Sequence, residues 1–380
     1  MQGDGRAGRN AGPEGPGAGG DVRVLTGWGG VSPPALASFV VCPETLGPLE
    51  AVDGGFWSPQ AERLYPYEQG IVFMGYPAED QTMIDSTMRE ERDQQALNAE
   101  AAATNLAYLK ASAPRAVDFL NTVTPFVRRK ERRPRALELG SGNGWVSWLI
   151  AEAGFETWMC DFEPNTLATG MNLKHPNLGE GRRFATDARY PPFESGAFDL
   201  VVFKEFVHHV ADFKPLFREA NRVLCDGGTM AMMEPVRSVW RSVRELRHPD
   251  PHGRHHITWV DSYLRAIRAS GMEVVYQTPV YSAHGNTRWP AAWMKQRALA
   301  AIDEDHPTGN LLSKLQLRLF GGAQMLIVAR KVRELPPRKR PPMQVIDPAT
   351  LVAGDPDPAY REFPSVLREA ADRLQRLPTG

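Results

Sequence analysis

Cysteine is scarce: Cys42, Cys160 and Cys225 are the three in 380 residues, and no two are close in sequence. A disulfide framework is therefore excluded. Long apolar runs are missing as well, and none reaches the length a bilayer span requires. Net charge is nearly absent: 44 Lys and Arg face 45 Asp and Glu, a formal charge of −1. That balance argues against a surface-wide nucleic-acid footprint and against a polybasic membrane binder. The first twenty residues, MQGDGRAGRNAGPEGPGAGG, lack the apolar segment of a secretory signal, so the cytoplasm is the expected compartment. What abounds is Gly (34) and Pro (32), which predicts disordered ends and many turns. The rest is ordinary soluble composition, long enough for two or three domains.

The chain divides by pattern. Residues 1–34 are Gly- and Pro-rich and too poor in large apolar side chains to offset ordering entropy, so a disordered leader is expected. Residues 35–78 read as short strands, with Asp53-Gly54-Gly55 as a tight-turn signal. Residues 79–130 read as a helical connector ending in a basic run from Arg128 to Arg135. That run has no interleaved aromatics and reads as a solvated linker rather than an RNA contact. From Ala136 the pattern becomes strand, helix, strand, helix, with strands at 136–139, 156–160, 182–186, 198–203, 229–234, 272–280 and 322–330. Such alternation predicts a doubly wound α/β sheet, mostly parallel, within a domain spanning 131–335. Two excursions, 235–258 and 281–321, leave the carboxyl edge of that sheet. Beyond 335 come a Pro-rich, charged segment and an amphipathic helix with Phe363, Leu367, Ala370, Leu374 and Leu377 on one face.

The first α/β strand runs directly into Glu138-Leu139-Gly140-Ser141-Gly142-Asn143-Gly144-Trp145. Glycines let the backbone turn sharply and approach a ligand, and the next helix offers unpaired N–H groups at its start. Asp161 closes the next strand, where a carboxylate can accept from two ribose hydroxyls. The loop is not the dinucleotide fingerprint, because Trp145 stands where that pattern wants its third glycine. It resembles motif I of the class I S-adenosylmethionine (SAM) dependent methyltransferases. The stretch from Phe184 to Val210 resembles that family's run from its adenine-contacting Asp to strand four. The stretch from Leu216 to Pro235 resembles its helix, Gly-Gly turn and strand five. The resemblance implies SAM as cofactor, no metal, and a seven-stranded sheet in the order 3-2-1-4-5-7-6 with the last strand antiparallel. It places Glu138 at the methionine amino group and Gly140, Ser141, Gly142 and Asn143 around the methionine moiety. Asp161 goes to the ribose, Phe162 to the adenine face, Asp187 and the Ala188 backbone to the adenine edge, and the Lys204 backbone near the methyl group.

Residues 38–75 resemble the zinc-ribbon module that activates some RNA and protein methyltransferases. The matching run is Cys42-Pro43-Glu44-Thr45, Pro48-Leu49, Ser58-Pro59-Gln60-Ala61, Tyr65-Pro66 and Gly70-Ile71. One of the four ligand positions keeps its thiol, and tetrahedral zinc needs four N or S ligands. The module, 35–78, is therefore expected to fold without metal.

Methyl transfer from a sulfonium needs proximity, alignment and, for a hydroxyl or amine acceptor, a base. His208 and His209 follow strand four beside Glu205, Glu234 ends strand five, and His255 and His256 lie in the excursion after it. All stand at carboxyl ends of strands, where such folds bind ligands. His209 is the leading candidate, with Glu205 and His256 as further catalytic candidates; each could instead brace its loop. The excursion 281–321, with Trp289, Trp293, Met294 and several Leu, is expected either to lid an acceptor pocket or to pack on the sheet. The expected function is methyl transfer to a small-molecule acceptor, at oxygen or nitrogen rather than carbon, in a biosynthetic role. The alternatives are an RNA or protein methyltransferase and a SAM-binding protein that does not methylate. Nucleic acid and membrane are not expected partners; oligomeric state is left open.

Overall fold

The structure is a computed structural model of the 380-residue chain. It describes residues 33–80, 99–128, 130–170, 174–239, 242, 256–281, 318, 323–351 and 361–377. The leader up to residue 32, His255 and most of the 281–321 excursion, with Trp289, Trp293, Met294 and its leucines, lie outside the described residues.

Four short strands open the fold: β1 (Glu50–Val52), β2 (Gly55–Ser58), β3 (Arg63–Glu68) and β4 (Ile71–Phe73). They form an antiparallel ladder. The first hairpin turns at Gly54, whose φ of +81° suits glycine. After β5 (Gly75–Pro77), the long helix α1 (Ala99–Val123) leads to β6 (Arg135–Leu139). Then follow α2 (Trp145–Glu152), β7 (Glu156–Asp161), α3 (Pro164–Thr169), β8 (Arg183–Ala185) and β9 (Phe198–Lys204). The chain continues through α4 (Lys214–Val223), β10 (Leu224–Pro235), α5 (Val260–Ala269), β11 (Met272–Tyr281) and β12 (Ala323–Lys331). It closes with β13 (Met343–Val345) and α6 (Phe363–Ala371).

One sheet runs in the order β1-β2-β3-β4-β8-β7-β6-β9-β10-β12-β11. From β8 to β11 this is the 3-2-1-4-5-7-6 order expected of the α/β unit, with β12 antiparallel to both neighbours. The seven strands expected of the α/β unit are all present, and the N-terminal β-rich module joins the same sheet. β4 pairs in parallel with β8, Val72 beside Phe184 and Phe73 beside Ala185, so the N-terminal ladder extends the sheet to eleven strands.

Alternation along each central strand feeds two cores. Ala136, Leu200, Val202, Ala231, Met233 and Val328 face a layer built from α1, α2 and α6. Leu137, Val201, Phe203, Met230, Met232 and Ile327 face α4 and α5. β9 is buried along its whole length, as a central parallel strand with helices on both sides must be.

The basic run has a structural use. Lys130 and Arg132 both contact the Asp199 carboxylate, at 2.6 and 2.7 Å, and the Arg135 N–H donates to it at 2.8 Å. Burial pushes that carboxyl up, but these partners outweigh it and hold Asp199 below the usual carboxylate range. The segment after β12 also serves the fold. Arg340 donates to Glu219 of α4 and to the Pro43 carbonyl, and β13 pairs with β5. The C-terminal part of the chain thus ties the N-terminal ladder to the α/β core.

Candidate functional site

The glycine loop departs from the carboxyl end of β6. Gly140, Gly142 and Gly144 all have positive φ (+72°, +53° and +80°). A Cβ at Gly140 would lie 1.9 Å from the Phe206 ring, so this glycine lets the end of β9 pack against the loop. A Cβ at Gly142 would meet only Thr166 Cγ2, at 3.7 Å, so that side of the loop is open. Asn143 Oδ1 accepts from the Trp145 N–H, fixing the turn into α2.

Two carboxylates frame the loop, Glu138 buried and Asp161 half-buried. Asp161, ending β7, accepts the Gly142 N–H at 2.7 Å and the Glu163 N–H at 3.1 Å. Burial raises its carboxyl, and these backbone donors only partly offset that. Glu138 is 1% exposed and accepts from Ser147 Oγ of α2. Burial pushes its carboxyl up to about 8, against the opposing pull of Ser147 and Lys204. Lys204, also buried, holds its ammonium 3.3 Å from Glu205 and 5.1 Å from the Trp145 ring centre. Burial lowers it despite Glu205. Two carboxyl groups beneath a glycine loop suit a cationic ligand, whose charge would favour the ionised form of Glu138. Ser141 Oγ is buried without a hydrogen-bond partner, and with the open face of Gly142 it fits an added polar ligand.

On the adenine side of the expected arrangement, Phe162 packs at the edge of the cluster around Ile71 and Phe73, and Ala188 is buried. Asp187 is not a lone acceptor. Arg189 pairs with it at 2.6 Å and with Asp80 at 2.5 Å. Its carboxylate also accepts the Arg189 backbone N–H at 2.8 Å and Nε at 3.0 and 3.1 Å, so Arg189 engages both oxygens.

Beyond β9 the wall of a cavity of about 440 Å³ begins, lined by Tyr108, Glu205, His208, His209, Pro235, Ile257 and Gln324. Glu205 has φ +54°, a conformation a non-glycine side chain adopts at a cost. Its carboxylate accepts from Tyr108 Oη and from Gln324 Nε2. Burial would raise Glu205, but Lys204, Tyr108 and Gln324 hold it below the usual range. Burial and Glu205 together raise the Tyr108 phenol. Of the expected catalytic candidates, Glu205 and His209 line this cavity. His256 is exposed and donates its backbone N–H to the His208 carbonyl at 2.6 Å. His209 is exposed, whereas His208 is buried with Nδ1 2.8 Å from Glu234 Oε2. Glu234 Oε1 in turn accepts from the N–H groups of Phe206 and Val207.

Tyr108, Gln324 and Ser147 were not marked by the sequence. Tyr108 reaches the site from α1, 97 residues before its partner Glu205, and no local signal announces that. The proximity of His208 and Glu234 was accessible: β9 and β10 pair in parallel with Lys204 beside Met233, which sets Glu234 next to the turn after β9.

In the N-terminal ladder, the positions that the ribbon resemblance assigns to ligands gather around Cys42. Its thiol contacts Tyr65 Oη at 3.2 Å and hydrogen-bonds with Ser58 and Thr45. Burial raises that thiol, but these hydrogen bonds outweigh it and the balance is downward. Thr45 Oγ1 accepts the Gly47 N–H and Ser58 Oγ the Ala61 N–H, so hydroxyls close the two turns. No group of three or more His, Cys, Asp or Glu side chains able to hold a metal occurs among the described residues.

Comparison with known proteins meets this geometry at the same residues. Residues 137–232 match the family model described as a methyltransferase domain. A demethylmenaquinone methyltransferase of Thermus thermophilus is 33% identical over 107 residues, covering 27% of this chain and 49% of that protein. Its counterpart from Mycolicibacterium gilvum is 30% identical over 172 residues, covering 44% and 64%. The chain thus spans about half the length of the first of these relatives. A solved structure of geranyl diphosphate C-methyltransferase from Streptomyces coelicolor is 19% identical with a TM-score of 0.38, covering 57% of this chain and 76% of that one. The family match runs from β6 through β10, the segment that builds the glycine loop, both carboxylates and the wall after β9. Residues 137–232 are thus similar to a methyltransferase domain, and the sheet around them has the strand order that the sequence resemblance implies.

Proposed function

We propose that the protein transfers the methyl group of SAM to the oxygen or nitrogen of a small molecule held in the cavity beyond β9. The carrying observation is the adjacency of two environments at one sheet edge. A buried carboxyl, Glu138, and a half-buried one, Asp161, lie beneath an open glycine loop, and a polar-walled cavity starts one residue past Lys204. Glu138 would take the cationic amino group, and Ser141 Oγ with Gly140, Gly142 and Asn143 would hold the methionine moiety. Asp161 would take the ribose, and Phe162, Asp187 and Ala188 the adenine. Bound there, SAM supplies an electrophilic methyl on a sulfonium; the chain supplies alignment.

The acceptor class follows from the cavity. Tyr108, Glu205, His208, His209 and Gln324 offer donors and acceptors that can orient a hydroxyl or amine, while Pro235 and Ile257 give an apolar floor. Relatives named demethylmenaquinone methyltransferase and ubiquinone biosynthesis O-methyltransferase support a small-molecule acceptor and a biosynthetic role. The use of Lys130 and Arg132 on Asp199 weighs against the RNA alternative. No described helix is long and apolar enough to cross a membrane.

The test is incubation with methyl-labelled SAM and a panel of phenolic, quinol, polyol and amine acceptors. Label in an O- or N-methylated product, with equimolar S-adenosylhomocysteine, is the expected result. SAM binding with no label transferred across the panel would favour a non-methylating role. Salt-sensitive labelling of RNA would replace the small-molecule reading.

A further inference from the structure

We propose that His208, oriented by Glu234, is the base that takes the acceptor's proton during methyl transfer; this rests on the methyltransferase reading above. The arrangement has three parts. Glu234, at the carboxyl end of β10, is fully buried, and it accepts from the backbone N–H of Phe206 at 2.7 Å, that of Val207 at 2.9 Å, and His208 Nδ1 at 2.8 Å. Three donors fix the position of this carboxylate. A carboxylate oxygen 2.8 Å from Nδ1 selects the tautomer with the proton there, which makes Nε2 the basic nitrogen of the ring. His208 also lines the cavity with Glu205 and Tyr108, so the oriented ring belongs to the acceptor's wall. A base backed by a buried carboxylate is the arrangement that activates hydroxyl groups elsewhere in enzymology.

His209 lines the same cavity but lacks the Glu234 contact. It is exposed, its ring stacks on that of His208 at 4.2 Å between centres, and Glu234 partners its neighbour instead. The step balances without a further reactant. A lone pair of the acceptor's oxygen or nitrogen forms the bond to the methyl carbon. The carbon–sulfur bond breaks, and its electron pair stays on sulfur, which becomes a neutral thioether. The acceptor's proton passes to His208 Nε2, and the imidazolium later returns it to water. Glu234 carries a negative charge throughout and stabilises the imidazolium.

Several titratable groups face this pair: His209 on the same turn, Glu205 before it, Tyr108 from α1, His256 above the His208 carbonyl, and Tyr263 of α5 against Glu234. The experiment must isolate His208 from them. Nitrogen-15 NMR of the histidine-labelled full chain with S-adenosylhomocysteine reads the tautomer without needing an acceptor. The expected result is a His208 signal with Nδ1 protonated and Nε2 bare at neutral pH, shifted in Glu234→Gln. A proton resident on Nε2 with Nδ1 bare would overturn the proposal, as would an imidazolium persisting to pH 9. With an acceptor that the labelled-methyl panel identifies, His208→Asn keeps a donor for Glu234 and so keeps any bracing role. It is expected to bind SAM as the wild type does and to lose about 10²-fold or more in kcat, with the acid limb of the pH–rate profile gone. Added imidazole is expected to restore part of the His208→Ala rate. Unchanged kcat and pH profile in His208→Asn would overturn the base while leaving methyl transfer standing. Failure of the wild type to methylate anything would instead remove the underlying reading.

Discussion

Replacing Glu138 by Gln is expected to stabilise the ligand-free protein while weakening its hold on SAM. The Glu138 carboxyl is buried and pushed up to about 8, from 4.5 in an unfolded chain. Below pH 4.5 it is protonated in both states and costs nothing. Between that value and about 8, the unfolded chain ionises and the folded one does not, so stability falls as pH rises. At ~1.4 kcal/mol per pH unit, the loss reaches roughly 3 kcal/mol by pH 7 and just under about 5 kcal/mol once the folded group ionises. Gln keeps an oxygen for Ser147 Oγ and carries no such cost. Urea denaturation of both proteins from pH 5 to 9 should show the variant's advantage growing with pH and levelling above 8. An advantage that stays constant across this range would refute the reasoning. The same argument reaches function. A bound ammonium favours the ionised carboxylate, so the wild type should release a proton on binding SAM near neutral pH. Calorimetry in two buffers of different ionisation enthalpy reads that proton, and Glu138→Gln should not show it.

Other consequences follow from the same geometry. Gly140→Ala drives a Cβ to 1.9 Å from the Phe206 ring at φ +72° and should cost about 1–3 kcal/mol of stability by thermal melting, partly recovered by adding Phe206→Ala. Asp199→Asn removes the shared partner of Lys130 and Arg132. After discounting for the partial exposure of both cations, about 1–2 kcal/mol should be lost at pH 7. Because the folded Asp199 carboxyl lies below its unfolded value of 3.8, that difference should shrink as pH falls through 3.8 and below. The triple variant Thr45→Cys, Ser58→Cys and Ala61→Cys should bind one zinc per chain by elemental analysis, and the unaltered protein none. Stoichiometric zinc in the unaltered protein would overturn the reading of that module as metal-free.

The α/β core was legible because each central strand carries its own signal. Leu200-Val201-Val202-Phe203 is apolar on both faces, which only a strand covered on both sides tolerates. The glycine loop was legible because Gly140, Gly142 and Gly144 recur at alternate positions straight after a strand, and all three adopt positive φ. The edge of the sheet was not. Nothing local in Ile71-Val72-Phe73 says that it pairs with Arg183–Ala185, more than a hundred residues later, because edge pairing is settled by tertiary packing. The basic run kept its function hidden for a similar reason: its partner, Asp199, opens a distant strand. At the cavity, sequence reasoning weighed His209 ahead of His208 because adjacent residues look equivalent on paper. The fold separates them by turning one ring onto Glu234 and the other outward.

Calorimetric titration of the purified protein with SAM and with S-adenosylhomocysteine tests the central claim most directly, with Asp161→Ala measured alongside. One site per chain is predicted for both ligands. The variant should weaken each by about 10- to 100-fold, the worth of hydrogen bonds to an ionised acceptor. Equal affinity in the two proteins would contradict the placement of the ribose, and absence of binding in the wild type would contradict the account as a whole.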